Sequence, residues 1–121
     1  MLLALLGAAG VAQACGVCLE DQVASTYDHA LVTRALAAHR VVVFAAVKGN
    51  ATPDALAAEA RRVAALVPGV ERGSVRSATT AGATVSFVVD PAAATPFAAI
   101  ERIEKASRTP KLELALLRVA Q

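Results

Sequence analysis

The sequence contains the same local pattern twice, a strand-like apolar run followed closely by a Thr-Pro helix start. Thr52-Pro53 and Thr95-Pro96 each combine a residue that caps free backbone N–H groups with a proline that suits the first helical position. The first start follows the wholly apolar segment 41–47, and the second follows segment 84–89, whose side chains alternate with a period of two. These two strand-helix units constrain the fold more than any other feature of the chain.

Each unit is completed by a further strand, one over residues 70–78 and one over residues 111–120. The first of these carries several charges, so we expect it at an edge of the sheet, where charges deter unwanted pairing. The order strand, helix, strand, strand, helix, strand implies two βαβ halves, 41–78 and 83–120, with right-handed crossovers. We therefore predict a ferredoxin-like α+β sandwich over residues 40–121, with a four-stranded antiparallel sheet and both helices on one face.

The predicted sheet is apolar on both faces. Segment 41–47 has no polar residue on either side, and the last strand places leucines on one face and Ala115, Leu117 and Val119 on the other. A large open apolar face is uncommon on a soluble monomer. The second face must therefore be covered either by a helix of the same chain or by the sheet of a second copy in a homodimer, and we favour the chain's own helix.

An N-terminal helical extension over residues 15–39 provides that helix. Its apolar residues recur every four positions and so lie on one helical stripe; they are Leu19, Val23, Tyr27, Leu31 and Ala35. A break at Ser25-Thr26 is compatible with the pattern, because Asp28 is a good N-cap for a second short helix.

The amino-terminal residues have the pattern of a signal peptide. The first charged residue is Glu20, and the apolar run 2–12 has the length of a signal-peptide hydrophobic region, too short to span a bilayer as a mature helix. Ala12-Gln13-Ala14 matches the small-residue cleavage pattern, although no Lys or Arg precedes the run. We therefore predict a signal peptide over residues 1–14 and an exported protein, periplasmic or secreted, with no membrane span in the mature chain. The alternatives are a buried N-terminal helix and a lipidated Cys15.

The two cysteines of the chain form a Cys-x-x-Cys motif, Cys15-Gly16-Val17-Cys18. At this spacing both sulfurs can meet one metal ion or each other. A disulfide that closes so short a loop removes little chain entropy and would stabilise the fold only weakly. A helix begins directly after the pair, and its partial positive charge favours the thiolate form that metal binding and thiol redox chemistry both require. Metal binding, thiol redox, and an inert disulfide or modified Cys15 all stay open.

Two thiolates suit a low-coordinate Cu(I) ion, whereas a structural zinc ion requires four ligands. His29 and His39 are the only histidines in the chain, and each could contribute a nitrogen ligand. In a continuous helix His29 would lie roughly 16 Å from Cys18 at 1.5 Å per residue, so it reaches the sulfurs only if the chain breaks near Ser25. The candidate metal ligands are therefore Cys15, Cys18 and His29.

The βαββαβ order together with the Cys-x-x-Cys pair resembles the heavy-metal-associated domains of copper chaperones and mercury-binding proteins. The resemblance covers residues 41–120 in topology. In that family the cysteines lie in the loop between the first strand and the first helix, whereas here that loop, residues 48–52, contains no cysteine. The resemblance therefore implies a fold and a class of ion, and its binding residues have no counterpart at the matching positions.

Composition and motifs exclude several classes of function. A chain of 121 residues has room for one domain, and 12 Lys+Arg against 10 Asp+Glu leave a net charge of +2, which does not predict nucleic-acid binding. Tyr27-Asp28-His29 places an acid beside an imidazole, but no activated serine accompanies them. We therefore expect no enzyme, but a small metal-binding protein that sequesters its ion or exchanges it with a metal-donor or metal-acceptor protein. The alternatives are a thiol-disulfide redox partner and a non-catalytic oligomerisation or docking module with incidental cysteines.

Overall fold

The structure is a computed structural model, and it describes residues 18–121. The predicted signal peptide, residues 1–14, and Cys15 lie outside the described residues. Within them the chain is mixed α+β, with four helices and four strands. In chain order the elements are α1 Leu19–Thr26, α2 His29–Ala37, β1 Val41–Lys48, α3 Pro53–Ala64, β2 Arg76–Ala78, β3 Thr84–Val89, α4 Pro96–Ala106 and β4 Glu113–Ala120.

The four strands form one antiparallel sheet in the order β2-β3-β1-β4. Strand β1, apolar up to its last residue Lys48, lies inside the sheet between β3 and β4, and Val43 is paired with Phe87 on one side and Val119 on the other. The short strand β2 lies at an edge. These findings confirm the four-stranded antiparallel sheet and the edge position of the charged strand.

Both Thr-Pro sites begin helices, as predicted. The Thr52 Oγ1 accepts a hydrogen bond from the Ala55 N–H at 3.2 Å, and the Thr95 Oγ1 accepts one from the Ala98 N–H at 3.0 Å. Helices α3 and α4 pack against one face of the sheet and close the larger apolar core. The most deeply buried members of that core include Val43, Ala45, Ala60, Val63, Val85, Phe87, Ala99 and Ile103.

The second face of the sheet is covered by the chain's own helices α1 and α2. Val42, Phe44 and Val88 of the sheet pack there against four helical residues, which are Val23, Leu31, Val32 and Ala35. Because both faces are covered, β3 is buried along its whole length, including its polar Thr84 and Ser86.

The helical extension breaks where the sequence allows it. Helix α1 ends at Thr26 and α2 begins at His29, with the Asp28 Oδ1 accepting a hydrogen bond from the Leu31 N–H at 3.1 Å. Among residues 18–121 no helix combines the length and apolar character that crossing a membrane requires.

The expected strand over 70–78 is much shorter in the structure. A 3-10 turn over Arg72–Ser74 interrupts it, so that β2 is left with three residues and Val70 makes a single isolated bridge to Val89. The Ser74 Oγ accepts a hydrogen bond from the Val88 N–H at 2.8 Å. The Ser74 hydroxyl therefore takes the place of the backbone carbonyl that would accept this hydrogen bond in a regular pair of strands. The alternation of side chains in the sequence does not predict this replacement.

The expectation that Val119 shares a face with Leu117 is wrong. The pairing of β4 with β1 shifts register between Phe44 and Ala45. Phe44 pairs with Arg118 and Ala45 pairs with Leu116, so Leu117 is an extra residue without a partner in β1. A bulge of this kind moves every later side chain to the opposite face. Val119 consequently packs on the side of α3 and α4, while Leu117 packs on the side of α1 and α2.

Candidate functional site

Cys18 occupies the N-cap position of α1. Its backbone is extended (φ −81°, ψ 162°), its carbonyl accepts the Gln22 N–H at 3.1 Å, and its side chain makes no capping hydrogen bond among the described residues. The residue is half-buried. The thiol therefore lies at the helix end where backbone N–H groups lack intrahelical partners. Its proposed partner Cys15 lies outside the described residues.

The first turn of α1 carries two acidic side chains, Glu20 and Asp21. Glu20 forms a bidentate ion pair with Arg118 of β4, with distances of 2.7 Å from Nη2 to Oε2 and 3.3 Å from Nη1 to Oε1. The hydrogen bond from Arg118, followed by its charge, holds the pKa of Glu20 below its ordinary value. Arg118 thus ties α1 to β4 and neutralises one of the two negative charges that follow Cys18.

His29 begins α2, and the break that would allow it to approach the cysteines is present. The side chain is exposed, and its Nδ1 lies 3.3 Å from the hydroxyl of Tyr27. His39 follows the end of α2, with a left-handed backbone (φ 59°) and an exposed side chain. Over residues 18–121 no group of three or more His, Cys, Asp or Glu side chains is arranged to hold a metal ion.

A shallow groove lies alongside α1. It is lined by Glu20, Val23, Ala24, Tyr27 and Arg118. The Tyr27 ring is half-exposed and stacks on Phe44 with ring centroids 6.3 Å apart and an interplanar angle of 15°.

Sequence reasoning placed Tyr27 on the apolar stripe but did not identify Arg118 as part of this region. The only available signal was that Arg118 is the one cationic residue within the otherwise apolar end of β4. Its partner Glu20 is 98 positions away, so no local pattern links the two.

The carboxyl-terminal end of α1 lies on a polar part of the sheet. The Ser25 Oγ is 2.8 Å from the Thr84 Oγ1, and the Ser86 Oγ donates to the Thr26 carbonyl at 3.4 Å. The Thr26 Oγ1 is buried and has no hydrogen-bond partner within residues 18–121. Hydroxyl groups, rather than a continuous apolar surface, therefore mediate this contact.

No family model, curated protein or solved structure matches the chain. The resemblance to heavy-metal-associated domains accordingly depends on the order of elements and on the Cys-x-x-Cys pair.

Proposed function

We propose that this protein is a small exported metal-binding protein that holds a soft metal ion, Cu(I) in preference to others, through Cys15 and Cys18. The ion would be sequestered or exchanged with a metal-donor or metal-acceptor protein. One observation carries the proposal: the Cys18 side chain is only half-buried at the amino-terminal end of α1, without a capping hydrogen bond to any described residue. A thiol in that position is accessible to an ion and to the thiol of an exchange partner.

The electrostatics of the first turn bear on this chemistry in two ways. The free N–H groups of α1 favour negative charge on a sulfur at the N-cap, whereas Glu20 and Asp21 oppose it. The ion pair with Arg118 offsets the charge of Glu20. A Cu(I) ion shared by two thiolates adds one positive charge to this negative group and satisfies the low coordination number that the ion tolerates.

The proposed fold class agrees with this assignment. We interpret the sheet order β2-β3-β1-β4, with α3 and α4 on one face, as a ferredoxin-like βαββαβ domain over residues 40–121. The resemblance to heavy-metal-associated domains then implies a metal site that has moved from the strand-helix loop to the segment before α1. Residues 1–14 would be removed as a signal peptide, which directs the protein to the periplasm or outside the cell.

The two alternative functions, thiol redox and docking, depend on different parts of the molecule. A thiol-disulfide redox partner would use the same half-buried Cys18, so only a chemical test separates it from metal binding. A docking or homodimer role for the sheet face has less support, because α1 and α2 cover Val42, Phe44 and Val88.

Anaerobic titration of the reduced mature chain with Cu(I), in competition with a chromophoric chelator, tests the proposal. We expect one Cu(I) per chain, with binding lost in both Cys15→Ser and Cys18→Ser. His29→Ala should weaken binding if the imidazole is a third ligand, while His39→Ala serves as the matched control. Absence of binding, or binding that survives Cys18→Ser, would reject the proposal.

Two further measurements test the redox alternative and the predicted signal-peptide cleavage. Rapid exchange of Cys15 and Cys18 with glutathione, without Cu(I) binding, would favour the redox alternative. The intact mass of the exported protein should correspond to a chain that begins at Cys15, and a mass that includes residues 1–14 would reject the predicted cleavage.

A further inference from the structure

Strand β4 forms the longer of the two edges of the sheet. In the order β2-β3-β1-β4 it pairs with β1 on one side, and no strand of residues 18–121 pairs with its other side. Most of its apolar residues are only half-buried, whereas those of β3 are buried; they are Ala115, Leu116, Leu117, Val119 and Ala120. A long apolar edge strand presents unpaired backbone N–H and C=O groups and is a template for pairing with another strand.

The first part of this edge is closed by side chains of α4 and of the residue that follows it. The Leu114 N–H donates to the Glu104 Oε2 at 2.9 Å, and the Leu112 N–H donates to the Ser107 Oγ at 2.9 Å. Successive residues of a strand direct their N–H and C=O groups to opposite sides. Because the Leu114 N–H points away from β1, the N–H and C=O of Leu116 point away from it as well.

The bulge in β4 resets this alternation. The Val47 N–H donates to the Ala83 carbonyl on the β3 side, so Phe44, an odd number of positions away, directs its backbone groups toward β4. Its partner Arg118 therefore faces β1, and the next residue, Val119, points outward. Beyond the part that α4 closes, the outward N–H groups are thus those of Leu116 and Val119.

We propose that this edge is an interface with a second copy of the chain, in which two β4 strands pair antiparallel around a two-fold axis at Leu116. Each Leu116 exchanges both of its outward hydrogen bonds with its counterpart. The Val119 N–H of each copy donates to the Leu114 carbonyl of the other, which points outward while the Leu114 N–H is held by Glu104. A two-fold axis uses the same surface on both copies, so their sheets continue into one another.

The register at Leu116 is favoured over its neighbours. A pairing centred on Ala115 would require the Leu114 N–H, which Glu104 already holds. A pairing centred on the bulge would place the two Arg118 side chains opposite each other, and like charges at such a position are destabilising. The register at Leu116 avoids both costs.

The apolar side chains of β4 match in this register. On the side of α3 and α4 the residues in question are Leu114, Leu116 and Val119. Leu116 meets its counterpart at the axis, and Leu114 meets Val119 of the other copy. The pairing therefore removes partly exposed apolar surface from water, which favours association.

Opposite charges match on the side of α1 and α2. Arg118 pairs with Phe44, which packs against these helices. Glu113 pairs with Lys48, an even number of positions along β1 and so on the same face. The extra residue Leu117 moves Arg118 away from the axis and toward Glu113 of the second copy. The axis repeats this diagonal contact, at a cross-strand position where opposite charges attract.

Analytical ultracentrifugation of the purified protein under reducing conditions tests the interface. We expect a monomer–dimer equilibrium between about 1 μM and 1 mM, because an edge contact of this kind is small. Glu113→Lys places a cation near Arg118 of the second copy and should weaken the dimer about tenfold. Arg61→Glu is the matched control: it reverses an exposed charge in α3, which packs on β2, β3 and β1, and should leave the dimer unchanged.

A proline at the axis provides a second test. Leu116→Pro removes an N–H that points away from β1, which an edge strand tolerates, and should weaken the dimer at least about tenfold. Because Leu116 also packs against the larger core, circular dichroism must show that this variant is folded. If it does not fold, Glu113→Lys decides the question at an exposed position.

Hydrogen exchange locates the contact. The Leu116 and Val119 amides should exchange about tenfold more slowly when the dimer dominates, whereas the Leu112 amide, which Ser107 holds, should not change with concentration. A protein that stays monomeric at about 1 mM, or a dimer that Glu113→Lys leaves intact, would overturn the proposal. Protection of the Leu116 amide at every concentration would also overturn it, because the chain itself would then close the edge.

Discussion

Glu59 offers a quantitative test of how α3 is held to the segment that follows α4. The residue lies in α3 and is only 7% exposed. Its Oε1 accepts the Arg62 Nε–H at 3.0 Å, and its Oε2 accepts both the Arg62 Nη2–H and the Arg108 backbone N–H at 2.9 Å. The carboxylate therefore links α3 to the segment that follows α4.

Glu59→Gln keeps the volume of the side chain but replaces one acceptor oxygen by an NH2 group. Three donors approach the two oxygens, so at least one donor must face another donor after the substitution. Losing one hydrogen bond to a charged group in a buried position costs about 1.5 to 3 kcal/mol. For a domain of this size that corresponds to a fall of roughly 6 to 12 °C in Tm.

Thermal and urea unfolding at neutral pH measure this cost. The matched control is Glu101→Gln in α4, where the side chain is exposed and the change should stay within about 0.5 kcal/mol. Arg62→Ala combined with Glu59→Gln should cost less than the sum of the single changes, because both remove the same contact. Equal stability of Glu59→Gln and Glu101→Gln would refute the role assigned to this carboxylate.

The pH dependence follows from the same contacts. The hydrogen bond from Arg62 lowers the pKa of Glu59 from its ordinary value of 4.5, against the desolvation that raises it, with further help from the Arg108 N–H. A lowered folded-state pKa means that the stabilisation is present above about pH 4.5 and is lost as the pH falls through the folded-state value. The stability difference between the unmodified chain and Glu59→Gln should therefore be constant near neutral pH and shrink in acid, and a difference that grows in acid would contradict the assignment.

Two further substitutions test close contacts elsewhere. A Cβ at position 49 would lie 2.8 Å from the Lys111 carbonyl oxygen, so Gly49→Ala should destabilise the fold by about 1 to 3 kcal/mol, whereas Gly73→Ala meets nothing within 4 Å and should stay within about 0.5 kcal/mol in the same urea titration. Ser74→Ala leaves the buried Val88 N–H without its acceptor and should cost about 1 to 3 kcal/mol; calorimetry that finds no change in Tm would show that water replaces the hydroxyl.

Several features of the fold could be predicted because they depend on neighbouring residues. The helix starts at Thr52 and Thr95 and the N-cap at Asp28 each need only a side-chain oxygen within three positions of a free N–H group. The burial of segment 41–47 in β1 could be predicted because this segment has no polar residue on either side.

Features that join distant segments could not be predicted. The bulge at Leu117 reverses the faces expected for the end of β4, and it follows from the pairing of two strands rather than from the sequence of either. The exposed Arg62 pairs with the buried Glu59. The Glu59 carboxylate also accepts the Arg108 N–H, which is 49 positions away in the sequence. The burial of Glu59 therefore could not be predicted from its neighbours along the chain.

The candidate site shows the same division. The Cys-x-x-Cys spacing, the apolar run 2–12 and the helix that begins after Cys18 are local properties, so the sequence alone determined which atoms are the candidate ligands and that Cys18 directly precedes a helix. Only the tertiary structure decided that Arg118 opposes the charge of Glu20, that Tyr27 stacks on Phe44 and that α1 lies on the hydroxyl groups of β3. The physical reason is that hydrogen bonds within a helical turn are chosen by adjacent residues, while ion pairs, stacking and docking require folding to bring remote residues within a few ångströms.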